Sequence, residues 1–317
     1  MRDTILELQR TVALTIVGQK ELVERLLVAL LSDGHVLIEG LPGLAKTTAV
    51  RCLANGLTAR FQRIQFTPDL IPGDITGTDI YNATDGQFKY VPGPIFSEIL
   101  LADEINRAPP KVQAALLEAM QEKRVTVGGV TRALPDLFVV IATQNPIEHE
   151  GTYPLPEAQL DRFLFKLHVN YPTADEELEI LQREQARLQH TEATAARTLT
   201  PAEVLALRKE VNNIYLDKML ERYIVALVSA TRDPSPWRKE LKDYLTRGAS
   251  PRATLALARS ARALAFLRGR QFVEPGDIMS LAEPVLTHRL GLSFAARADG
   301  VSAQQVVQQL VASVPVP

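Results

Sequence analysis

Along the first half of the chain apolar positions follow two alternating periods, the pattern of strands linked by crossover helices. In KELVERLLVALL, residues 20 to 31, Leu22, Leu26, Leu27, Leu30 and Leu31 share one helical face. HVLIEG then reads as a short strand, and LAKTTAVRCLANGL as a helix ending near Gly56. RFQRIQF alternates as a strand, whereas 67 to 96 is too rich in Gly and Pro for a continuous helix. Within that stretch TDIYN, ATDG and QFKYV predict a β-hairpin. SEILLADEI is the unbroken apolar run of a buried parallel strand and closes on two carboxylates. PPKVQAALLEAMQEK repeats Val112, Ala115, Leu116, Ala119 and Met120 at helical spacing behind its opening prolines. RVTVGGVTRAL predicts a second hairpin around Gly128 and Gly129, LFVVIATQNP another buried strand, LPEAQLDRFLF a short helix and KLHVNYP a last strand.

From about Pro172 the texture changes to helix-like segments with no convincing strand, interrupted by a surface loop at QHTEATAART. The expected architecture is an α/β fold: a parallel-sheet αβα domain over 1–171, with inserted hairpins at about 72–92 and 125–134. A smaller all-helical domain over 172–317 follows it. Two domains also suit 317 residues, since one core usually serves roughly 100 to 200.

Composition changes this picture little. Apolar residues are 46% and charged residues 23%, which places the chain among ordinary globular proteins. Thirty-five basic against 37 acidic residues give a formal charge of −2, so no bulk field drives the chain onto nucleic acid or anionic lipid. Cys52 is the only cysteine, which excludes an internal disulfide, suits a reducing compartment and reads as a small buried residue. Charges at Asp3, Glu7 and Arg10 interrupt the N-terminal apolar run, which is therefore not read as a signal peptide. The cytoplasm is the expected location.

The chemistry gathers at strand ends. GLPGLAKT has the order of a phosphate cradle: Gly40 and Gly43 for the turns, Lys46 for charge at the β and γ phosphates, Thr47 for a hydroxyl on Mg²⁺. Ala45 stands where the pattern has its second glycine. Because that position begins a helix, where φ is negative, alanine can adopt the backbone. Asp103 and Glu104 end the next buried strand, as a holder of Mg²⁺ through water and a general base. Asn145 ends the third, where a neutral amide can contact both γ phosphate and attacking water. Without the loop, the two acids read equally as solvated charges and Asn145 as a turn cap. Ser250 caps a helix whose first turn holds Arg252, where the helix dipole disfavours a cation unless an anion is near. Leu160, Phe163 and Leu164 form a buried face, so Arg162 points to solvent or to a neighbouring subunit.

Taken together, GLPGLAKT, LLADEINRAPPKVQAALLEAMQE, ATQNPIEHEGTYPLPEAQLDRF, the SPR triplet and the late HRL resemble the MoxR branch of the AAA+ ATPases in order and spacing. The resemblance implies a P-loop NTPase core with a helical lid. It makes Gly40, Leu41, Pro42, Gly43, Leu44, Ala45, Lys46 and Thr47 the Walker A loop, with Thr48 beside it, and Asp103 with Glu104 Walker B. Asn145 becomes sensor 1, Arg162 an arginine finger acting in trans, and Arg252 sensor 2. Val17 and Gly18, in IVGQ, resemble the segment that packs on adenine. The resemblance further implies ATP with Mg²⁺, a homo-hexamer with nucleotide between subunits, hairpins facing the pore or partner, and a protein client with a von Willebrand factor A domain partner. Two alternatives stay open from sequence. One is a nucleic-acid motor, with Lys123, Arg124 and Arg132 flanking the second hairpin; the other is a ring subunit that binds nucleotide without hydrolysing it.

Overall fold

The computed structural model describes residues 2–41, 44, 46–84, 86–146, 151–189 and 198–317. Pro42, Gly43 and Ala45 of the phosphate loop lie outside the described residues, as do Asp85 of the first hairpin, 147–150, and 190–197 of the expected surface loop. Contacts divide the chain into two compact units, 1–155 with 167–205 and 156–166 with 206–317.

Before the helical half of the chain the strands are β1 (Val36–Gly40), β2 (Phe61–Gln65), β3 (Gly77–Asn82), β4 (Gln87–Pro92), β5 (Ile99–Asp103), β6 (Arg124–Val127), β7 (Val130–Ala133), β8 (Val139–Gln144) and β9 (Phe165–Val169). Five of them form one sheet in the order β2-β5-β8-β1-β9, and β2 with β5, β5 with β8 and β8 with β1 pair parallel. The apolar runs explain the order. All of β5 is buried and β8 is buried through Thr143, so both lie inside the sheet; β2, which buries only Ile64, takes the edge. Helix Lys46–Asn55 buries Lys46, Ala49, Val50, Leu53 and Ala54. Cys52 falls beside that face and is half-buried rather than buried as its type suggested.

The expected hairpins are β3 with β4 and β6 with β7. Gly77 enters the first at φ 90°, and a Cβ there would stand 2.3 Å from the Val91 carbonyl oxygen. Only glycine allows that approach. The Arg132 guanidinium of β7 lies 3.7 Å from the centre of the Tyr90 ring of β4, tying one hairpin to the other.

The second unit is helical, with Lys218–Ala230, Pro251–Leu267, Pro275–Leu286 and Ala303–Ser313 burying Leu227, Leu257, Leu264, Leu281, Val285 and Leu310. It also holds a two-stranded antiparallel ladder, β10 (Leu245–Arg247) with β11 (Gly291–Leu292), which corrects the expectation of an all-helical second half. Strands of three and two residues are too short to carry a readable alternation. Among the described residues no helix is long and apolar enough to cross a membrane.

One buried side chain fastens β8 to a helix. Nδ1 of His35 accepts the Val140 N–H at 3.0 Å, so Nε2 carries the ring proton and donates it to the Met120 carbonyl at 3.2 Å. His35→Leu strands both backbone groups. It is expected to lower stability by about 1 to 3 kcal/mol, seen as a lower urea midpoint at unchanged slope.

Candidate functional site

Gly40 ends β1 and Lys46 opens the following helix. A lysine at a helix N-terminus opposes the dipole and needs acceptors. Buried Lys46 finds them in the Gly40 carbonyl at 2.5 Å and the Gln144 carbonyl at 3.5 Å, which brings the ends of β1 and β8 to one ammonium group. Leu44 is buried, Leu41 and Thr47 are half-buried, and Thr48 is exposed. Beside the loop a cavity of about 410 Å³ is lined by Glu39, Gly40, Leu41, Leu44, His168 and Tyr171 among others. Val17 is half-buried, and Gly18, at φ 76°, lies so close to Glu176 that a Cβ would stand 2.7 Å from its carboxylate carbon.

At the end of β5 the two acids are held differently. Thr143 on β8 donates its hydroxyl to Oδ1 of Asp103 at 2.5 Å and accepts the backbone N–H of Glu104 at 2.9 Å. Oδ2 of Asp103 receives Nη2 and Nε of Arg63 at 2.6 and 3.0 Å. Glu104 itself is left-handed, φ 57° and ψ 51°, a conformation that costs a non-glycine residue of order 1 to 3 kcal/mol and gathers at functional sites. That turn directs its carboxylate to Gln65 Nε2 at 2.8 Å and Arg107 Nη1 at 3.0 Å. Asn145, next to Gln144, is buried, and its carbonyl accepts from Asn106 Nδ2 at 3.5 Å. Lys46, Asp103, Glu104 and Asn145 therefore stand at three adjoining strand ends, where parallel α/β sheets place ligands.

The remaining two candidates belong to the second unit. Helix Glu157–Leu160 stops before Arg162, which lies half-buried on the turn leading into buried Phe163 and Leu164. Ser250 caps helix Pro251–Leu267 by accepting the Arg252 N–H at 3.2 Å. The anion that Arg252 requires is Asp161, whose Oδ2 lies 3.8 Å from its Nη1. The basic residues of the second hairpin are engaged within the chain: Lys123 with Asp33 at 2.6 Å, Arg124 with Glu122 at 3.3 Å, and Arg132 on Tyr90.

In the sequence reading no role falls to Arg63, Gln65, Arg107, Thr143, Asp161 or Arg289. Alternation along RFQRIQF does put Arg63 and Gln65 on one face of β2, but only the register Gln65↔Asp103 carries them to the acids.

Residues 35–165 match the family described as ATPase family associated with various cellular activities (AAA), and 240–310 the AAA lid domain. The chain is 49% identical over 303 residues to Chaperone MoxR1 of Mycobacterium tuberculosis, covering 95% of this chain and 79% of that protein. It is 33% identical over 305 residues to Protein MoxR of Methylorubrum extorquens, covering 92% and 88%. A crystal structure of a protein provisionally described as an ATPase, from Cytophaga hutchinsonii, superposes with a TM-score of 0.90 at 44% identity, covering 100% of this chain and 96% of that one.

The Thr143 hydroxyl is the link between Asp103 and the strained Glu104. Thr143→Val, nearly equal in volume, is expected to cost about 1 to 3 kcal/mol in urea denaturation while leaving the far-ultraviolet spectrum unchanged.

Proposed function

This chain belongs to the MoxR family of AAA+ ATPases, with the α/β fold and helical lid of that family, and we propose that it hydrolyses ATP in a homo-hexameric ring to remodel or help assemble protein complexes. The observation that carries this reading is the meeting of Lys46, Asp103, Glu104 and Asn145 at the ends of β1, β5 and β8.

In this reading the loop N–H groups and the helix dipole receive the β and γ phosphates. Lys46 exchanges the carbonyls of Gly40 and Gln144 for phosphate oxygens. Glu104 accepts a proton from water as the water oxygen attacks the γ phosphorus, the bond to the β–γ bridging oxygen breaks, and ADP departs. The Gln65 and Arg107 bonds hold the Glu104 carboxylate away from that task, so they open before it acts. Asn145 positions the water; Arg252 meets the γ phosphate of its own subunit and Arg162 that of the next.

The residues fit Mg²⁺, which takes hard oxygen donors and keeps several waters. Thr47 supplies a hydroxyl, and Asp103 uses three acceptor positions on Thr143 and Arg63 out of about four. When bound, the ion would neutralise charge on the β and γ phosphates.

Support for a protein client comes from the first hairpin, where Tyr81 and Phe88 are 56% and 72% exposed with ring centres 5.4 Å apart. A von Willebrand factor A domain protein is the partner this reading assigns. The intrachain pairing of Lys123, Arg124 and Arg132 favours a protein client over nucleic acid.

Glu104→Gln is expected to keep ATP affinity while lowering turnover by about 10² to 10⁴-fold, measured by phosphate release and equilibrium binding. Turnover within twofold of the parent would contradict the assignment. Lys46→Ala is expected to weaken ATP binding itself, separating the cradle from the base.

A further inference from the structure

Arg162 and Arg252, assigned above to two different nucleotides, lie in one compact unit, and the carboxylate beside Arg252 is that of Asp161, the residue before Arg162. Oδ2 of Asp161 accepts the Ser250 hydroxyl at 2.8 Å and has Arg252 Nη1 at 3.8 Å; Oδ1 accepts Nε of Arg289 at 2.8 Å. The Arg289 side chain is only 3% exposed. Its other nitrogens donate to the Phe163 carbonyl at 2.7 Å, the Leu164 carbonyl at 3.3 Å, the Asp161 carbonyl at 3.4 Å and the Val285 carbonyl. His288 adds Nε2 to the Phe163 carbonyl at 3.1 Å. The backbone on each side of Arg162 is thus pinned by one guanidinium, while Arg162 keeps a half-exposed side chain.

Burial pushes the Arg289 pKa down, and the Asp161 carboxylate works against that. A buried ion pair is seldom the most stable filling for a helical core, but it fixes geometry through directed bonds. Here the fixed geometry is the path of residues 161–164. The same carboxylate is the counter-anion that the first-turn Arg252 needs. A nucleotide phosphate offers Arg252 a second, more highly charged anion, so the guanidinium has two alternative partners. Turning to phosphate, it leaves Asp161 to Ser250 and Arg289.

We propose that Asp161 and Arg289 form a coupling hub through which Arg252, answering to the nucleotide of its own subunit, sets the position of the Arg162 presented to the neighbouring subunit. The inference rests on the ATPase reading above. Arg289 and Asp161 are positioning residues in it; neither touches nucleotide. The hub makes Asp161 a competitor of ATP for Arg252, and by linkage the competition runs both ways.

Two measurements on the full chain test it. In a Glu104→Gln background, where ATP persists, adding Asp161→Asn is expected to tighten ATP binding about fivefold and to have no effect once Arg252→Ala is also present. A merely structural role for Asp161 would not tighten binding. Arg289→Lys keeps the charge and loses the fork. Its subunits are expected to regain turnover when mixed with Glu104→Gln subunits, whose fingers are intact, as Arg162→Ala subunits do. An effect of Asp161→Asn that is absent, or the same with and without Arg252, overturns the hub. So does failure of the Arg289→Lys mixture where the Arg162→Ala mixture succeeds, and either result leaves the ATPase reading standing. Failure of both mixtures removes the finger in trans, and the hub falls with it. Should Arg289→Lys not fold by circular dichroism, the Asp161→Asn comparison decides alone.

Discussion

One hydroxyl with one proton holds the chemistry of the first unit together. Thr143 gives that proton to Asp103 and takes the backbone N–H of Glu104, so β5 and β8 agree on register to within a hydrogen bond at the end where the acids stand. The left-handed turn at Glu104 is affordable because the surroundings determine it: the buried strand before it, the Thr143 bond at its nitrogen, and the Gln65 and Arg107 bonds at its carboxylate. A looser sheet would let Glu104 relax to an ordinary conformation and turn its side chain elsewhere. The run of apolar residues in β5 and β8 therefore serves the site as much as the core.

Much of this was legible in sequence. Buried parallel strands announce themselves by unbroken apolar runs, and their C-terminal ends by the first polar residue, so Asp103, Glu104 and Asn145 could be located without coordinates. The cradle could be located through Gly40, Lys46 and Thr47, although Ala45, whose backbone was the open question, lies outside the described residues. Charged groups that act across elements were not legible. The alternation along RFQRIQF puts Arg63 and Gln65 on one face of a strand, but nothing local states that Gln65 lies opposite Asp103. Arg289 stands in the sequence only within the HRL triplet, with no role of its own; its burial depends on contacts with residues some 125 positions away.

The two units solve opposite electrostatic problems with the same tools. In the first, two acids at one strand end are kept apart by bonding each to its own cation, Arg63 for Asp103 and Arg107 for Glu104. In the second, two cations share one acid, Asp161, and the deeper of them is steadied by backbone carbonyls. Lys46, Asp103, Glu104 and Arg252 already have protein partners, so on the proposed reading nucleotide binding is an exchange of partners. That makes affinity a difference between two sets of contacts, and it lets residues that never touch nucleotide govern it.

The central claim is that the three strand ends are built around ATP and its hydrolysis, and a structure of the Glu104→Gln protein with ATP and Mg²⁺ tests it most directly. The account predicts Lys46 Nζ withdrawn from the Gly40 carbonyl and within about 3 Å of β and γ phosphate oxygens, with Thr47 and Asp103 facing the ion. Nucleotide bound elsewhere, or Lys46 still on the Gly40 carbonyl beneath a bound triphosphate, would contradict it.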